Sequence, residues 1–259
     1  MWKQAGGDGL RGDSSVRRWR MILGLVCVVG AASVSAPLAR TSSAPGQHDG
    51  TGVSATAHAH ELDGVWMERR DSITFSPNDP PFLPWAAERF RAAKPGYGPH
   101  ASANSQDPVL SCLPPGVPRI LLMPFPMQIA QVPGEVLMIF EYDHFLRSIY
   151  TDGRAHPKDP DPTWMGNSIG RWDGDTLAVD TIGFNDKTWL DMVGHPHSDA
   201  LHVMERIRRV DHDTLQDDVT IIDPRAYSKP WTGQQTFELK PSWHLGEYIC
   251  EDNMADPPK

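Results

Sequence analysis

The densest chemistry in the chain lies in GHPHSDALHVMER, positions 194–206, which holds His195, His197, His202 and Glu205 in a sequence with eleven histidines in all. Imidazole titrates nearest neutral pH, and desolvation tunes a carboxyl for proton transfer. Read as a strand with alternating faces, LHVMERIRRV (201–210) puts Leu201, Val203, Glu205, Ile207 and Arg209 on one side. His202, Met204, Arg206 and Arg208 fall on the other. The first side is the more apolar and is expected to face inward. Glu205 must then be paired, with Arg147 or Arg171 as candidates, or hold its proton above the ordinary carboxylate range. His195 and His197 lie on a connection that is expected to cap one end of the fold. They could act with Glu205 as acid–base partners. A zinc or copper site of His195, His197 and His202 is a further reading, but Pro196 stiffens the first pair and His202 falls on the opposite strand face. A plain surface loop is the third.

A second strand, VLMIFEY (136–142), sets Val136, Met138, Phe140 and Tyr142 on one face, and Arg147 follows on FLRSIY. Tyr142 and Arg147, aimed into a barrel, could hold a carboxylate or phenolate, with Trp172 lining the space or packing as core. Arg147 could equally do no more than satisfy Glu141 or Glu205. There is no Gly-x-Ser-x-Gly elbow, no phosphate loop and no Gly-x-Gly-x-x-Gly, so no cofactor is expected and no metal is assigned. The net charge of −9 and the lack of a basic run beyond the N-terminus argue against nucleic acid as a partner. The expected partner is a small hydrophobic or aromatic molecule, and nothing sets the oligomeric state.

The elements that must position these residues read as follows. Arg17–Arg20 precede the apolar run MILGLVCVVGAASVSA, so residues 1–36 are expected to be a signal peptide, 37–60 a flexible linker and 61–259 a β-barrel domain. Export to the periplasm or medium, with no membrane span afterwards, follows from that reading. Cys27 would leave with the signal, and the remaining Cys112 and Cys250 are expected to form a disulfide. PWAAERFRAA (84–93) is the one helical stretch, with Pro84 suited to a first turn. Strands are expected in ELDGVW, RILLMPF, MQIAQV, EVLMIFEYDHFLRSIYTDGR (two), NSIGRWDGDTLAVDTIGF (a hairpin on Asp173-Gly174-Asp175), ALHVMERIRRVDHDTLQDDVTIID (two, turning at 211–214), QTFELKP and LGEYICE. Many short strands with 24 prolines predict an all-β fold, a single antiparallel barrel with a proline-rich N-terminal wrap.

The segments LDGVW, CLPPGVPR, RSIYTDGRAHP, SIGRWDGDTLAVDT, HSDALHVMER and EYICED together resemble a largely uncharacterised family of exported bacterial proteins. The resemblance spans about residues 61 to 253. It implies export and attaches no shared reaction. Gly64-Val65-Trp66 on a first strand resembles lipocalin-like (calycin) barrels, which implies a hydrophobic-ligand cavity. Two functions are thus expected. One is a cofactor-independent lyase, dehydratase, isomerase or cyclase that moves protons on an aromatic or terpenoid-like molecule. The other is a barrel that binds such a molecule without reaction.

Overall fold

In the computed structural model, residues 61–69 and 73–253 are described, so the expected signal peptide and linker lie outside the described residues. Nine strands close into a barrel in chain order. They are β1 (Gly64–Glu68), β2 (Met127–Val132), β3 (Glu135–Phe140), β4 (Leu146–Tyr150), β5 (Asn167–Asp173), β6 (Thr176–Ile182), β7 (His202–Asp211), β8 (Thr214–Ile222) and β9 (Trp231–Leu239). The one α-helix among the described residues, α1 (Pro84–Ala92), begins on Pro84, whose fixed φ suits a first turn.

One departure from the expected antiparallel barrel follows from counting. An odd number of strands cannot alternate direction all the way round a closed ring. The mismatch falls between β4 and β5, which pair in parallel through Ile149↔Ser168 and Tyr150↔Ile169. Every other pairing, including the closing β1–β9 contact, is antiparallel. The parallel pair needs residues 151–166 to carry the chain back along the barrel.

The same registers sort the connections by end. Two-residue turns join β2 to β3, β5 to β6 and β7 to β8, all at one end. The long connections, 69–126, 183–201 and 223–230, gather at the other, with the β3–β4 loop. The C-terminal tail leaves β9 at the hairpin end and returns to the loop end, where Tyr248 bridges to Tyr142. The long connections and the tail therefore converge on one rim.

The interior is filled with side chains. Trp66, Met138, Ile149, Leu177, Ile207 and Val219, from six strands, are each 2% exposed or less and belong to one cluster. The loop end is plugged by Phe75, whose ring meets Trp231 edge-on at 4.2 Å. Gly233 makes room for it, because a Cβ there would fall 1.9 Å from the Phe75 carbonyl oxygen.

Two expected strands are absent. In RILLMPF, Arg119–Leu122 wind into a 3-10 turn with all four side chains buried. The run is apolar because it packs under the rim, and burial alone does not distinguish a turn from a strand. LGEYICE contributes the Tyr248 bridge and no strand among the described residues. Its anchor is instead Cys250, bonded to Cys112 with S–S 2.09 Å and Cα–Cα 5.6 Å.

Candidate functional site

Strand alternation on β7 holds. Glu205 points inward at 1% exposure between Val203 and Ile207. The interior around it is a polar cluster in an apolar packing. Arg147 on β4, also 1% exposed, donates from Nη1 to Glu205 Oε1 at 2.8 Å and from Nη2 to Oε2. The guanidinium is further held by Ser168 Oγ at 3.2 Å and Thr181 Oγ1 at 3.1 Å. Of the two candidate partners for Glu205, Arg147 is the one found. A bidentate fork of this kind fixes both groups in the plane of the pair.

A third acidic residue, Asp217 on β8, lies in the same cluster at 1% exposure beside the Glu205 carboxylate, and no N–H or hydroxyl donor among the described residues reaches its oxygens. Burial, then the Glu205 charge, push its pKa well above the ordinary range, with Arg147 pulling the other way. One arginine cannot neutralise two carboxylates, so Asp217 keeps its proton. The consequence for stability has a definite sign. The unfolded chain ionises Asp217 near pH 4 while the folded chain stays protonated, so stability falls as pH rises from there through the folded value. Asp217→Asn removes that slope. It is expected to be more stable than the parent by a margin that grows with pH, measured as thermal midpoints across pH 4 to 9.

His195 and His197 form part of the roof. His195 Nδ1 donates to Asp191 Oδ2 at 2.5 Å, and its ring stacks on Phe90 at 4.6 Å and meets Trp231 edge-on at 4.8 Å. His197 Nδ1 donates to the Ser198 carbonyl at 3.0 Å. The charges acting on His197 are Asp223 and Asp186, and burial lowers its pKa. Neither ring is hydrogen-bonded to Glu205, whose carboxylate is committed to Arg147. His202 turns outward, as alternation requires, and bonds Asp180 Oδ1 at 2.9 Å. The three histidines thus face three separate surroundings. Among the described residues no group of three or more metal-ligating side chains comes together.

Tyr142 and Arg147 are not neighbours in one site. Tyr142 stands at the rim, lining a cleft of about 470 Å³ with Val109, Met123, Phe125, Tyr248 and the Asp107–Arg119 pair. Trp172 lies by the β5–β6 turn at the opposite end, packed on the core. In the cleft Arg119 donates to Asp107 from Nη1 at 2.7 Å and Nη2 at 2.5 Å. Two polar atoms there have no protein partner, Tyr142 Oη and Arg119 Nε. Burial, then the Asp143 charge, push Tyr142 up to about 12, so the phenol stays neutral. Phe125 and Tyr248 rings, 4.3 Å apart, complete an aromatic wall. Such an arrangement can hold a planar apolar molecule against its aromatic wall, with the neutral Tyr142 hydroxyl and the Arg119 Nε–H sealed just behind the surface.

Comparison with protein-family models, with curated proteins and with solved structures returns no match. The site has to be read from its own geometry. Sequence reasoning missed Asp217, Asp107 and Arg119. Asp217 was within reach, since Leu215, Asp217, Val219 and Ile221 alternate inward on β8 by the same parity as Glu205 on β7. Asp107 and Arg119 carry no periodic signal, because Asp107 caps one 3-10 turn and Arg119 opens another in a proline-rich connection.

Proposed function

We propose that this chain is an exported binding barrel that takes a small, mainly aromatic, uncharged molecule in the rim cleft between Tyr142 and Arg119. The observation that carries it is the pair of unpartnered polar atoms, Tyr142 Oη and Arg119 Nε, in a mainly apolar cleft. Buried polar atoms without partners are few in native proteins, and each calls for an explanation. Both are sealed from solvent, so a bound oxygen reaches them only as the cleft lining shifts aside. Asp107 already balances the Arg119 charge, so a ketone or phenol suits the cleft better than a carboxylate. Export rests on the basic–apolar N-terminal pattern, the family resemblance and the bonded cysteine pair.

The proton-transfer reading keeps one favouring observation, the protonated Asp217 beside Glu205. Against it stands the packed interior, which shields both carboxyls. A single assay separates the readings. Neutral phenols and aryl ketones, with benzoate as the charged control, are titrated while tyrosine ring resonances are followed by NMR. Neutral compounds are expected to shift Tyr142 and Tyr248, and Tyr142→Phe is expected to weaken them about 2- to 10-fold. The same change leaves the thermal midpoint unaltered or higher, because it removes a buried hydroxyl that lacks a partner. Glu205→Gln leaves the affinity unchanged in this reading. Turnover of a compound that disappears in Glu205→Gln would establish the enzyme instead. Binding indifferent to both Tyr142→Phe and Arg119→Met would remove the cleft from consideration.

A further inference from the structure

The rim cleft does not end where its aromatic wall ends. Its lining grades from buried to open: Tyr142 and Met123 lie deep, whereas Leu110 and Tyr97 stand at the mouth with 58% and 52% of their surface exposed. Among the described residues Leu110 is the most exposed large apolar side chain. We propose that the ligand is an alkyl-tailed phenol, with its ring on the Phe125–Tyr248 wall and its hydrocarbon tail running out over Leu110 and Tyr97. The proposal rests on the cleft reading above and narrows its ligand class.

Both exposed side chains sit on pinned backbone. Leu110 belongs to the 3-10 turn Pro108–Ser111. Asp107 caps that turn, accepting from the Val109 N–H at 3.0 Å through Oδ1 and from the Leu110 N–H at 3.0 Å through its carbonyl. Cys112 closes the turn and is bonded to Cys250. Val109 is buried by this geometry and Leu110 is left outside. Tyr97 belongs to a loop tied by Ser102 N–H to the Pro95 carbonyl and by Gln106 N–H to the Lys94 carbonyl, both at 2.8 Å. Gly98 beside it packs so closely on the 183–201 connection that a Cβ there would fall 2.5 Å from Val193. A single apolar side chain on a surface is ordinary. Two held in place at the mouth of one mainly apolar cleft extend it.

Charge and area select the occupant. The charged side chains of the lining are Asp107 and Arg119, which neutralise each other, so the mouth offers nothing to an ionic head. A hydrocarbon tail needs no such group. Two side chains also fall far short of the roughly 800 Å² per partner of a stable protein interface, which disfavours a second copy of the chain. The cleft of about 470 Å³ is larger than one ring requires, since spaces of about 300–1,000 Å³ take molecules of drug size. Met123 and Met192 in the lining can adapt to a flexible chain. The tail meets surface that is already open. Its burial then offsets the displacement of lining that brings the phenol oxygen to Tyr142 Oη and Arg119 Nε.

The test is a tail-length series of phenol and its para-ethyl, para-butyl, para-hexyl and para-octyl derivatives, each kept below its solubility limit. Tyrosine ring resonances of the full protein are followed by NMR. Each added methylene is expected to raise affinity about two- to fourfold, levelling off once the tail passes Leu110. Tyr142 and Tyr248 shift with every member, and Tyr97 only with the tailed ones. In the double variant Tyr97→Ser with Leu110→Ser, both at exposed positions, the octylphenol-to-phenol affinity ratio is expected to fall about tenfold. Tyr142→Phe weakens phenol and octylphenol by the same factor and leaves that ratio in place. A flat series in which phenol still shifts Tyr142 and Tyr248 would overturn the tail and leave the ring site standing. No shift of Tyr142 or Tyr248 by any member would remove both. A ratio unchanged in the double variant, or a ligand-free dimer in sedimentation that the double variant dissolves, would likewise overturn the proposal.

Discussion

Arg147→Met is expected to lower the thermal midpoint more than any other single substitution inside the barrel. The change strips the only cation from a cluster holding two carboxyl groups, Glu205 and Asp217, each 1% exposed. Breaking a buried pair by removing one partner typically destabilises by about 3–5 kcal/mol. For a domain of this size, about 2–4 °C is lost per kcal/mol, so a fall of roughly 6–20 °C is expected. Ser168 and Thr181 also lose the donors they face. Removing all three polar groups at once, as Arg147→Met with Glu205→Leu and Asp217→Leu, is expected to restore the midpoint to near or above the parent value. Calorimetry on the single and triple variants checks both statements. A single variant as stable as the parent would mean that Glu205 and Asp217 find water or protons within the interior, and the cluster would then need to be redrawn as a solvated one.

Breaking the Cys112–Cys250 bond is the second large effect. The bond closes a separation of 138 residues, and loops of that order contribute about 4–5 kcal/mol in the chain-entropy account. The effect is not confined to global stability. Tyr248, Cys250 and Asn253 form one wall of the aromatic cleft, while Val109 and Leu110, beside Cys112, form another. Once reduced, the tail is held by Cys250 N–H to Asp143 Oδ1 at 2.6 Å, Gly246 N–H to Glu141 Oε2 at 2.6 Å and Asp143 N–H to the Tyr248 carbonyl at 3.0 Å. These are rim contacts open to water, and each is worth about 1 kcal/mol. The Cys112→Ser, Cys250→Ser protein is therefore expected to lose affinity for neutral aromatics more than tenfold. Titrations of neutral aromatics below the variant's midpoint, with and without reductant on the parent, check the loss.

What the sequence made legible divides along a physical line. Positions ruled by strand alternation could be read: Glu205 inward, His202 outward, and the hairpin turn at Asp173-Gly174-Asp175; Tyr142, read as aimed into the barrel, lies past the end of β3 and stands at the rim. Arg147 as the partner of Glu205 was one of two candidates. Cys112 with Cys250 followed from elimination once Cys27 was set aside. The positions that could not be read depend on where distant segments meet. Arg119 pairs with Asp107 through a turn whose apolar run looks like a strand. Tyr142 and Arg147, five residues apart, separate because the turn between β3 and β4 sends one to the rim and the other into the interior. The parallel seam at β4 and β5 is a property of the whole ring, visible only when the strands are counted.

The gathering of every tight turn at one end has a consequence for how this architecture can change. Register in the wall is pinned by backbone pairing and by hairpins at the end away from the proposed cleft. Under the proposed function, selectivity lies in the loops and tail that line the cleft. Recognition can then drift by lengthening, shortening or recolouring the rim while the staves below keep their alignment, so relatives with the same container and unrelated cargo are what such a division of labour makes easy.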